Sequence, residues 1–183
     1  MGGALAVAAA KAVGGGSLVL ANRTREKAEM LADRLGAKAG SNTDAAMQDY
    51  IMLGVKPQMM AGLMEEIAPV LQSRAAKGER FILVTMAAGL TMEKIRAMSG
   101  TNAPVIRIMP NTPVSIGKGI ILYDGTGVQD NEWKTFLDAF APAGLLQPIA
   151  ENLIDAGSAV AGCGPAFAYL FIEALADGGV ECG

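Results

Sequence analysis

The chain has 183 residues, of which 51% are hydrophobic, 5% aromatic and 18% charged, with a net charge of −3. That length suits one good-sized domain or one domain and the start of another, and the composition excludes a disordered tail. The near-neutral balance supplies no basic field for nucleic acid, and no apolar run is read as reaching the ~20 residues that cross a bilayer.

In chain order, small and apolar residues predict a helix over Met1–Val13, stopped by Gly14–Gly16. It lacks a basic leading segment, so no signal peptide is expected. Ser17–Ala21 has the branched, extended look of a strand. A helix over Arg25–Leu35 follows, with Ala28, Leu31 and Leu35 on one face, Thr24 as N-cap and Gly36 just past its end. Ile51–Val55 is the next strand, then a helix near Met59–Ala76, a strand over Arg80–Met86 and a helix near Met92–Met98. Pro104–Pro110 and Gly119–Asp124 read as strands and Asp130–Ala141 as a helix. Strands that alternate with helices and are almost continuously apolar mean a parallel sheet covered on both faces, a doubly wound α/β domain. After Ala150 the strands stop. Two helical stretches, broken at Cys163–Gly164–Pro165, read as the start of an all-helical domain, dividing the chain into 1–150 and 151–183.

The two cysteines, Cys163 and Cys182, lack metal-ligand spacing and are read as free thiols in a reducing cytoplasm, with no metal site expected. The chain has no histidine, so an acid/base step must use another group, a water or the substrate itself.

Ligands of doubly wound sheets bind beyond the carboxyl ends of the strands. The first such end is Asn22-Arg23-Thr24-Arg25, where an NAD-binding fold usually places an acid for the ribose 2′-hydroxyl. An amide, a hydroxyl and two guanidinium groups suit a 2′-phosphate instead, although a helix cap with two solvated arginines also explains the stretch. Gly2 precedes Asn22 by about the 20 residues that separate a glycine loop from a ribose reader. Next come Gly54-Val55-Lys56-Pro57, where a proline fixes the turn and a glycine admits a ligand to the backbone, although Lys56 also reads as a solvated head on an apolar stem. Met86-Ala87-Ala88 then leaves room for a flat ring or a ribose, or for close helix–sheet packing. Asn111 and Thr112 stand between two prolines in a rigid turn that aims polar groups, or that is turn chemistry alone.

The stretches ANRTREKAEML, LGVKPQ, AAGLT, RIMPNTP and GCGPAFAYLFIEALADGGVECG, in this order and spacing, resemble pyrroline-5-carboxylate reductase across essentially the whole chain. The resemblance implies a Rossmann NAD(P)-binding domain, a helical domain that interlocks two subunits, and reduction of 1-pyrroline-5-carboxylate to L-proline with NADPH, or NADH. It implies that Asn22 and Thr24, helped by Arg23, hold the adenosine ribose and its 2′-phosphate, and that Asn42 lies by the adenine. Gly54, Val55, Lys56 and Pro57 would run along the cofactor, Met86, Ala87 and Ala88 would line its nicotinamide end, and Asn111 would lie near the nicotinamide and the imine. Cys163 falls where the family often has serine and is read as structural.

The family begins with a strand and a glycine loop, and MGGALA resembles the tail of that loop, with Gly2 as its last glycine. The resemblance therefore implies that the first strand, and the turn that binds the substrate carboxylate, belong to a longer functional chain. The expected partners are a small-molecule substrate and a second copy through the C-terminal helices, in the cytoplasm, with neither nucleic acid nor membrane. Two other readings stand beside it: a non-catalytic NADP-binding fragment, and another NADP-dependent imine or 2-hydroxyacid reductase of the same fold.

Overall fold

The computed structural model describes residues 1–183. Helix α1 (Gly2–Val13) leads through a 3-10 turn, Gly15–Ser17, into β1 (Val19–Leu20), and α2 (Arg25–Leu35) and β2 (Lys38–Ala39) follow. A short α3 (Asn42–Ala45) precedes β3 (Tyr50–Leu53), α4 (Met60–Ala76), β4 (Ile82–Thr85), α5 (Met92–Ser99) and β5 (Val105–Pro110). Then come β6 (Gly119–Thr126), α6 (Asp130–Phe140), β7 (Gly144–Pro148) and the long α7 (Glu151–Cys182). The strands form two sheets, β1-β2 and β3-β4-β5-β6-β7.

Side-chain alternation along the strands separates two cores. Leu53, Leu83 and Val105 face Met60, Met64, Ile67 and Leu71 of α4 and Ile95 of α5. Their neighbours Ile82, Val84, Ile106 and Ile108 face Leu5, Ala8 and Ala9 of α1 and Phe136 and Phe140 of α6. Burial on both faces is why these strands read as continuous apolar runs, and it makes the domain doubly wound as expected.

Several expectations need correction. The first strand is two residues long because Gly15–Ser17 winds into the 3-10 turn. Thr24 stands at the N-cap of α2, yet its side chain caps nothing. Its backbone N–H instead donates to Asn22 Oδ1 at 2.9 Å, while Gly36 does end the helix in the left-handed conformation, φ 65°. The sheet is not wholly parallel: β6 runs antiparallel to β5. Only the turn through Thr112–Ile116 joins them, too short for the dozen or so residues of a parallel crossover. Strands β2 and β7 were not expected. No break interrupts α7, which carries Pro165 inside a continuous helix. Nor does the expectation of no membrane-length segment hold: by length and composition α7 is long and apolar enough to cross a membrane. The cause is plain in the sequence, since no charged residue stands between Asp155 and Glu173.

At the end of the sheet where β4 begins, the Arg80 guanidinium is paired with Glu132 at the start of α6 and donates to the Gly127 carbonyl at 2.9 Å. The Arg80 hydrogen bond, helped by the Gln129 N–H, holds the Glu132 carboxyl below its ordinary value of 4.5 despite partial burial. A carboxyl with a lowered folded pKa adds stability above its unfolded pKa, and this is lost as pH falls through the folded one. Glu132→Gln is therefore expected to reduce stability at neutral pH and to flatten its acid decline below about pH 5, as read by urea unfolding across pH.

Candidate functional site

Strands β3, β4 and β5 are parallel, so the segments that leave their C-terminal ends share one edge of the sheet. These segments are Gly54–Pro57, Met86–Ala88 and Asn111. The N-terminus of α1 reaches the same edge: a Cβ built on Gly54 would lie 4.0 Å from the Gly2 Cα, with nothing nearer. Two glycines thus face each other across a gap that a larger side chain would narrow, at the positive end of a helix where backbone N–H groups are free.

Along this edge Gly54, Lys56 and Pro57 are exposed and Val55 is half-buried. Pro57 opens the 3-10 turn into α4, and Lys56 pairs with no carboxylate. Beyond β4, Met86 is half-buried, Ala87 is buried and Ala88 exposed, with the Ala87 N–H turned back onto Thr85 Oγ1 at 3.3 Å. This leaves a small-walled step at the strand end.

The loop after β1 exposes Asn22, Arg23 and Thr24. Arg25 is committed to Glu29, with Nε to Oε1 at 2.7 Å, and that hydrogen bond raises the pKa of its guanidinium. Arg23 has no carboxylate partner, and no acid stands in the loop, so it is the guanidinium available to an incoming anion. Asn42 opens α3 behind the Ser41 capping box, and its amide nitrogen donates to Glu66 of α4 at 2.7 Å. The sequence reading missed that carboxylate. Asn111 is the most constrained of the site residues, with both ends of its side-chain amide engaged, to Ile120 N at 2.9 Å and to the Ala161 carbonyl at 3.0 Å.

Sequence reasoning also missed the cluster that fastens α7 to this body. Arg107, 2% exposed in the middle of β5, donates from Nη2 to Asp155 at 2.7 Å and approaches Glu151 at 3.7 Å. Glu151 accepts the Met92 N–H at the start of α5 at 2.6 Å, and its own N–H is capped by Asp124 of β6 at 2.7 Å. The available signal was an arginine inside an otherwise apolar strand, because a buried charge requires a partner.

Comparison with known proteins agrees at both ends of the chain. A family model described as pyrroline-5-carboxylate reductase dimerisation matches residues 151–183, and one described as NADP oxidoreductase, coenzyme F420-dependent, matches residues 1–89. The pyrroline-5-carboxylate reductase of Corynebacterium melassecola is 33% identical over 165 residues, covering 88% of this chain and 60% of that protein. The enzyme of Aquifex aeolicus is 30% identical over 186 residues, covering 100% of this chain and 66% of that protein. The chain therefore spans less than two thirds of the length of these curated relatives. Among solved structures, the Plasmodium falciparum pyrroline carboxylate reductase with NADP bound superposes with a TM-score of 0.82 at 31% identity, over 100% of this chain and 66% of that one. The Streptococcus pyogenes enzyme gives 0.81 at 28% identity, over 98% and 68%. Sequence likeness along the chain and a shared Rossmann-like fold ending in the same helix agree: the chain belongs to the pyrroline-5-carboxylate reductase family.

Proposed function

We propose that the protein takes part in the reduction of 1-pyrroline-5-carboxylate to L-proline with NADPH, the last step of proline synthesis, in the cytoplasm. In this reading residues 1–150 are the nucleotide domain and residues 151–183 belong to a helical domain through which two copies associate. The observation that carries it is the line of small and polar strand ends along one edge of the five-stranded sheet, with Gly2 of α1 facing Gly54 there, together with an acid-free loop after β1 that holds an unpaired Arg23.

The residues fit the cofactor. Asn22, Arg23 and Thr24 would hold the ribose and its 2′-phosphate, since a guanidinium matches phosphate geometry and no carboxylate opposes it. Asn42 would lie on the adenine side. Gly2 and Gly54 leave backbone access for the pyrophosphate, in line with Val55, Lys56 and Pro57. Met86, Ala87 and Ala88 would pack the nicotinamide end. When bound, NADPH supplies the hydride. A protonated cyclic imine is a far better hydride acceptor than a neutral one, so a chain without histidine needs chiefly to orient the ring and exclude water. The apolar walls of Met86 and Ala87 suit that task.

Pairing two copies through α7 is supported by the dimerisation model over residues 151–183 and by the exposure of Phe167, Leu170, Phe171 and Leu175 at helical spacing. It also gives the membrane-length apolar helix a protein partner.

The cofactor assignment is tested at Arg23. Arg23→Ala is expected to weaken NADPH binding by about 10-fold, the value of one exposed charge-assisted hydrogen bond, and to leave NADH within about twofold. Fluorescence titration with both dinucleotides reads the ratio. An equal loss for both would remove the 2′-phosphate from this loop.

A further inference from the structure

Proline has no N–H, so inside a helix it leaves the carbonyl four residues earlier without its usual donor. In α7 the proline is Pro165 and the carbonyl is that of Ala161. The Asn111 Nδ2 atom donates to this oxygen at 3.0 Å. The other end of the same side chain accepts from Ile120 N at 2.9 Å, and the Asn111 backbone N–H donates to the Ile120 carbonyl at 3.1 Å. Asn111 is therefore pinned to β6 on one side and offers a fixed donor to the helix on the other.

We infer that Asn111 is a positioning residue for α7: its side-chain amide replaces the hydrogen bond that Pro165 removes, and so sets the direction in which the helix leaves the sheet.

The placement of the contacts along α7 supports this. Ile154 is buried, Asp155 is paired with Arg107, and Gly157 packs against Leu122. Ala161 is the next anchored point, and from Ala166 onward every residue is exposed. The Asn111 contact is thus the most distal hydrogen bond between the body and the helix before the helix projects free. A proline that would ordinarily kink or break the helix is carried without a break because its orphaned carbonyl has a partner. Asn111 directly follows β5, on the edge that carries Met86–Ala88, so one side chain links that edge to the course of the apolar half of α7. The inference goes beyond the reductase reading and does not depend on which imine is reduced.

A double-mutant cycle separates this role from a general packing role. Asn111→Ala alone is expected to speed hydrogen exchange at the amides from Gly162 to Leu170 by about 10-fold and to weaken self-association by a similar factor. Pro165→Ala returns an N–H to the Ala161 carbonyl, so in that background the same Asn111→Ala change is expected to cost less than about threefold. Asn111→Asp keeps the acceptor for Ile120 N but loses the donor, and should behave like the alanine variant. Equal losses with and without Pro165, or no loss in either, would overturn the assignment. If Asn111→Ala folds only when Pro165 is also replaced, that rescue is the expected result in its strongest form. Failure to fold in both backgrounds counts against the inference.

Discussion

Replacing Phe171 with glutamate is expected to weaken self-association at least about 100-fold while leaving the fold of residues 1–150 intact. The side chain is 65% exposed in the single chain, near the middle of a stripe formed by Phe167, Leu170, Phe171 and Leu175. Tyr169 and Ile172 are similarly exposed on the far side of the helix, and the acidic side chains Glu173, Asp177 and Glu181 fall on one line at four-residue spacing. A helix apolar over most of its circumference is stable in water only when surrounded. Burying one phenylalanine is worth about 1.5–3 kcal/mol, a buried unpaired carboxylate adds a penalty, and two-fold symmetry counts the change twice. Sedimentation velocity reads the shift. A variant that associates as tightly as the native chain would place the contact elsewhere.

The second large effect is expected at Arg107. Its guanidinium is the one buried cation between β5 and the start of α7, and removing it leaves Glu151 and Asp155 without their counter-charge. Breaking a buried pair from one side costs roughly 3–5 kcal/mol. Because Asp155 is 64% exposed and can turn to solvent, a value of about 2–4 kcal/mol is expected for Arg107→Ala. In a chain of this size that lowers Tm by roughly 4–16 °C. Arg107→Met keeps the volume and forgoes the charge. It is expected to recover part of the loss, though not the fixed seat of Glu151 against the Met92 N–H. A Tm within a degree of native for the alanine variant would mean that α7 is held without the pair.

Most of the helices and strands were legible because burial on two faces writes long apolar runs, and because Gly36 ends α2 in the left-handed conformation. What escaped had physical causes. Two-residue β2 is too short to carry any periodicity, and β7 owes its existence to pairing with β6, not to its own residues. The antiparallel turn of β6 was available in principle, from the few residues between Pro110 and Gly119. The missing break at Pro165 could not be foreseen locally, since the partner of its orphaned carbonyl stands 50 residues away at Asn111. The strand ends of the candidate site were legible for a simple reason: small and polar residues there interrupt apolar strands. The Arg107 cluster joins residues 48 apart, and only its lone charge in β5 marked it.

The most direct measurement is isotopic. With NADPH carrying deuterium at the transferable position of the nicotinamide and 1-pyrroline-5-carboxylate as acceptor, the proposed reaction places one deuterium on the ring carbon that was double-bonded to nitrogen, and mass spectrometry of the proline formed reads it. The account predicts labelled L-proline with NADPH, and less with labelled NADH at equal concentration. Proline without label, or label delivered to open-chain keto acids in place of the cyclic imine, would contradict it.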